Sequence, residues 1–234
     1  MTIAYRPVDA AEPGQVEPRG VEPDGAEPGE PGSRAATLRV LRAPAAVDLV
    51  GAEAAAAALL TALGVDVSTE SLRGTPGRMA RAYAEMFAPQ PFDLTTFPND
   101  EGYDELVLAR SIPVRSVCEH HLLPFVGIAH VGYLPGARIV GLSKLARVVD
   151  MFARRPQVQE RLTQQVANWL RDNLSPRGVG VVVEAEHLCM TVRGVNAAGA
   201  ATITSALHGH LRSDAAARAE FFALAVNGLA PSRS

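Results

Sequence analysis

The sequence predicts an α+β fold, an antiparallel sheet with helices over one of its faces. Three observations carry that expectation. Residues 106–117 and 125–133 hold the β-branched and aromatic content of strands. From 145 to 169 the apolar spacing changes to that of helices. At 179–185 a strand pattern returns, and strand runs separated by helices fold as a sheet with the helices on one side.

Taken in order, the elements begin after a segment of different character. In residues 1–36, Glu-Pro pairs recur at Glu12-Pro13, Glu17-Pro18, Glu22-Pro23 and Glu27-Pro28 with glycines between them. Such a stretch buries too little apolar surface to offset its ordering entropy, so it is expected to be a disordered, solubilising tail. A helical segment is expected over 37–105 and the main domain over 106–234. The Ala- and Leu-rich run Val47 to Leu63 ends at Gly64, a helix with a glycine stop. Thr75 is expected to cap a second helix, Pro76 to Phe87, with Met79, Tyr83 and Met86 facing inward. After the two strands, Leu134-Pro135-Gly136 is a turn and Arg138 to Gly141 a short return strand. Leu145, Val148, Val149 and Phe152 mark a helix that Pro156 interrupts. Val158, Leu162, Val166 and Trp169 mark another, stopping before Pro176. The strand 179–185 is expected to pair with one near 190–195, and Ser213-Asp214 opens a last helix ending near Gly228.

Composition narrows the function classes. With 22 basic and 25 acidic side chains the formal charge is −3, which gives no basis for nucleic acid or an acidic membrane as partner. No stretch approaches the roughly 20 apolar residues of a membrane span, and the N-terminus lacks a signal-peptide core. The expectation is a cytoplasmic protein. Its only two cysteines, Cys118 and Cys189, then have no reason to form a structural disulfide.

Three of the six histidines, His120, His121 and His187, lie within three residues of those cysteines. In Val117-Cys118-Glu119-His120-His121, a Cys-x-x-His spacing lets thiolate and imidazole reach one ion from a single turn. Cys189 would make a third ligand, leaving the open position that marks a catalytic zinc. His120 and His187 would then stand beside it with pKa values suited to moving protons. Spacing alone leaves open that the cysteines are buried apolar residues and the histidines fillers. Lys144 and Arg147, three apart at a helix start, suit a phosphate, although such a pair is usually a solvated face. Glu160 can accept from guanine N1–H and the 2-amino group, or pair along its helix with Arg161 or Gln164.

Together these motifs resemble the GTP cyclohydrolase I family. The likeness runs from about Leu63 to Leu224, through TPGRMARAY, CEHHLLPF, GLSKLARVVDMFARRPQVQERLTQQ and HLCMTVRGV continuing into TITSALHG. It implies the tunnelling fold for 106–234, assembled as a toroidal decamer of two pentamers with sites at subunit boundaries. It implies zinc held by Cys118, His121 and Cys189, with His120 and His187 transferring protons. Glu160 would anchor guanine with Gln159 beside it. Ser143, Lys144, Arg147 and Arg193 would hold ribose and triphosphate, with Arg78 and Arg81 reaching a neighbour's ligand and Ser143 assisting the sugar rearrangement. The implied reaction converts GTP and water, activated by zinc, into formate and 7,8-dihydroneopterin triphosphate, the entry to tetrahydrofolate and pterin synthesis. Two features depart from the family pattern: the bland run Asn196 to Ala201, and His210-Leu211 where an aromatic residue is usual.

Two rivals belong to other classes. A nucleobase deaminase would need H-x-E and C-x-x-C signatures, and neither occurs. A non-catalytic binding protein with structural zinc would have lost a ligand or proton-transfer residue, and none is missing.

Overall fold

The computed structural model describes residues 46–226, together with the backbone of Val16–Glu17 and Ala36–Val40. The expectation for the 1–36 tail otherwise lies outside the described residues. In chain order come β1 (Val16–Glu17), β2 (Ala36–Val40), α1 (Leu49–Ala62), α2 (Thr75–Met86), β3 (Phe92–Pro98), β4 (Val107–Cys118), β5 (Pro124–Leu134) and β6 (Arg138–Val140). They are followed by α3 (Leu142–Ala153), β7 (Pro156–Gln157), α4 (Gln159–Leu174), β8 (Gly178–His187), α5 (Leu188–Thr191), β9 (Ala201–Gly209), α6 (His210–Ser213) and α7 (Ala215–Val226).

The main sheet has the order β7-β4-β5-β8-β9, antiparallel except for the two-residue β4–β7 contact. Alternation along β5 and β8 divides its faces. Phe125, Ala129, Val131 and Tyr133, with Val179, Val181, Val183 and Ala185, turn toward α3 and α4. There they meet Leu145, Val148, Val149 and Phe152 from α3 and Leu162, Val166 and Leu170 from α4, all at 3% exposure or less. The helical spacing read from the sequence is therefore the packed face of each helix. The opposite face is also partly covered. Phe221 of α7 joins Leu134, Val182 and Leu211 in a smaller cluster at one end of the sheet.

Several expectations need correction. No strand forms at 190–195: Leu188–Thr191 is a single helical turn, and the loop beyond it takes positive φ at Gly194, Asn196 and Gly199. The partner of β8 is β9, with Val183 opposite Thr204. The short strand β6 does not return onto β5 but pairs with β3, which lies between prolines 91 and 98. Tyr133 ties it to β5 by accepting from the Val140 N–H at 3.1 Å. In α2 the cap position is Gly74 and makes no side-chain bond; Thr75 lies inside the helix. Its buried residues are Pro76, Gly77 and Ala80, while Met79, Tyr83 and Met86 are half-buried. Small residues let α2 close on α1, and the larger ones sit at the margin.

Candidate active site

The site forms where β4, β7, α4 and β8 end together. Cys118 closes β4, and the chain turns back into β5 within a few residues. That turn is held by Cys118 N–H donating to Leu123 O at 2.9 Å and Leu122 N–H donating to Cys118 O at 2.8 Å. Leu122 takes φ +52, uncommon for a branched side chain. Tyr83 of α2 donates to its carbonyl at 2.9 Å, and Glu119 N–H donates to Gln157 O of β7 at 3.0 Å. Two elements distant in sequence thus fix the turn that carries His120 and His121.

Cys118, His187 and Cys189 each offer a donor atom, all within 4.8 Å of one another. His120 and His121 are exposed, with Nδ1 atoms 3.8 and 4.0 Å from Cys118 Sγ. The structure thus brings together the two expected thiols with His187 within 4.8 Å of both, and leaves His120 and His121 exposed beside Cys118. Burial, and then the neighbouring Cys118, push the Cys189 thiol up. Two thiols buried side by side with imidazoles at hand form a soft donor set that fits a zinc ion, whose charge would offset the cost of deprotonating them.

A cavity of about 290 Å³ opens here, lined by Cys118, His120, His121, Gln157, Val158, Gln159, Glu160, His187, Cys189, Met190 and Thr202. Glu160, in the first turn of α4, is exposed at its mouth. Burial lowers the His187 pKa, against the opposing charge of Glu160. Its ring lies flat on Phe125, centroids 4.5 Å apart and planes 11° apart, and its Nε2 is 2.8 Å from Gln159 Oε1. Gln159 is 1% exposed and its amide nitrogen is spent on Val183, Thr202 and Thr204.

The expected phosphate residues do not line this cavity. Ser143, Lys144 and Arg147 occupy the first half of α3, whose twelve residues span about 18 Å. Its far end leads into β7 and the cavity, so these residues lie on the half of α3 remote from that end. Arg78 donates to Thr75 Oγ1 at 2.7 Å and Ser71 O at 3.2 Å, and Arg81 is exposed on the same helix. Arg193 donates to Cys189 O at 3.4 Å, one loop from the thiols. In sequence, Arg161 stands only as a helix-surface partner for Glu160. It instead forms a two-pronged ion pair with Glu119, 42 residues away.

No helix among the described residues is long and apolar enough to cross a membrane. The sequence profile of the GTP cyclohydrolase I family matches residues 52–226. GTP cyclohydrolase 1 of Streptomyces griseus is 57% identical over 184 residues, covering 76% of this chain and 91% of that protein. The protein of the same name from Streptomyces avermitilis is 59% identical over 178 residues, 74% of this chain and 88% of its own. That of Mycobacterium ulcerans is 57% identical over 180 residues, covering 75% and 89%. With the profile covering most of α1, all of α2, the main sheet and every residue of the cavity, this chain belongs to the GTP cyclohydrolase I family.

Proposed function

We propose that the protein hydrolyses GTP to formate and 7,8-dihydroneopterin triphosphate in the cytoplasm, as a decamer of two pentamers. The observation that carries this reading is the cavity in which two buried thiols, three imidazoles and the Glu160 carboxylate converge. Cys118, Cys189 and His121 would hold zinc, His121 moving in from the rim by a side-chain rotation. Once bound, the ion supplies a Lewis acid that lowers the pKa of water toward about 7.

The chain's own residues supply the rest. Glu160 accepts from guanine N1–H and the 2-amino group, which lays the purine across the cavity. His187, oriented by its bond to Gln159, delivers a proton to the imidazole-ring nitrogen as water adds at C8. His120, on the turn opposite, handles the second transfer as the opened formamide releases formate. Ser143 assists the sugar rearrangement that precedes closure of the pterin ring. Lys144, Arg147 and Arg193 bind the triphosphate and ribose, with Arg78 and Arg81. That the α3 residues do not line the cavity supports a site completed across a subunit boundary, where α3 of one chain faces the thiols of the next.

Substitution separates the two kinds of histidine. His121→Ala is expected to lose zinc. His187→Ala is expected to keep zinc and stop formate release. Formate release at the parental rate from His187→Ala contradicts its role, and loss of zinc from that variant alone moves the third ligand to His187.

A further inference from the structure

We infer that Gln159 is a positioning residue for His187, fixing the orientation of its ring and its Nε2–H tautomer; this rests on the function proposed above. Gln159 Nε2 lies 3.1 Å from Val183 O, 2.8 Å from Thr202 O and 3.2 Å from Thr204 Oγ1. Two of these partners are backbone carbonyls, which only accept. The amide's NH2 end must therefore face them, because the flipped amide would set oxygen against oxygen twice. Its other end, Oε1, is thereby fixed 2.8 Å from His187 Nε2, where it can only accept.

His187 must then carry its hydrogen on Nε2, and Nδ1 is the ring nitrogen that Gln159 leaves unengaged. The stack on Phe125, with planes 11° apart, holds the ring in its plane. The cradle is itself braced: Thr163 donates to Gln159 O at 2.9 Å, and its hydroxyl is 2.7 Å from that of Thr204. These bonds also separate Gln159 from its neighbour. Its amide hydrogens are spent inside the fold, whereas exposed Glu160 presents its carboxylate at the cavity.

The test uses zinc-loaded, assembled protein. Gln159→Met keeps the shape and removes the acceptor. For Gln159→Met, kcat for formate release is expected to fall about 10–100-fold, as for other residues that orient a site histidine. The Kd for 7-deaza-GTP, which has carbon in place of N7 and resists opening, should stay within about twofold, with zinc content unchanged. An unchanged kcat in Gln159→Met overturns the inference. So does a Kd raised about tenfold or more with kcat retained, the mark of a substrate contact. A parent protein that releases no formate sinks the proposed function instead. The nitrogen-15 shifts of His187 then still decide this inference, Nε2–H supporting it and Nδ1–H overturning it.

Discussion

Arg161, in the first turn of α4, holds both carboxylate oxygens of Glu119, with Nη1 at 2.6 Å and Nη2 at 2.8 Å. The pair joins the turn bearing His120 and His121 to the helix that begins with Gln159 and Glu160. Both side chains are partly exposed, so the bond is worth only about 0.2–1 kcal/mol to stability. Its effect should appear in the site. Glu119→Gln is expected to cut kcat/KM and slow zinc uptake while leaving the melting temperature nearly unchanged. Melting curves beside a chelator competition check this.

The same pair has a defined pH range. The bond to Arg161 holds the Glu119 carboxyl below its ordinary value of 4.5. The unfolded chain therefore takes up that proton first, and the contribution is complete above about 4.5 and lost as pH falls through the lower, folded value.

His130 acts in the same direction at higher pH. It is 1% exposed, and its Nδ1 accepts from Ser111 N–H at 3.4 Å across a bulge where Ser111 takes φ +55. Its Nε2 has no partner among the described residues. Burial, and then the charge of Arg110, hold its pKa below 6.5. The unfolded state thus binds the proton first, and stability falls as pH drops below 6.5 toward the folded value. Thermal unfolding at pH 7.5 and 5.5 is expected to show that loss, and His130→Leu to flatten it. A residual slope from His187 and His208, also held low chiefly by burial, should remain.

The second sheet face tests the packing. A Cβ at Gly180 would stand 2.7–2.9 Å from ring carbons of Phe221, which is fully buried. Gly180→Ala is expected to cost about 1–3 kcal/mol through overpacking. Phe221→Ala should cost about 3–5 kcal/mol through the cavity it leaves. Because removing the ring frees the space the methyl needs, the double variant should be less destabilised than the sum. Denaturant unfolding of the three variants measures this.

Much of this architecture was legible. Leu145, Val148, Val149 and Phe152 named the buried face of α3, and Cys118 with Cys189 named the thiols, because periodicity and rare reactive residues are local signals. The strand β3 could have been read from its alternation, since Phe92, Leu94 and Thr96 are its buried positions. Flanking prolines and a threonine pair obscured it. The strand expected near 190–195 failed because Met190 and Val192 look apolar in sequence, yet both are exposed beside a turn whose purpose is to bury Cys189. Least legible were the contacts between distant elements. Arg161 with Glu119, and Gln159 with Val183, Thr202 and His187, depend on where α4 lands on the sheet, which no local pattern states.

The measurement that bears most directly on the account is incubation of zinc-loaded protein with GTP, followed by oxidation and detection of neopterin fluorescence. The account predicts a signal that grows with time, vanishes with a chelator and returns with added zinc. No fluorescence, from assembled protein shown to hold zinc, would contradict it.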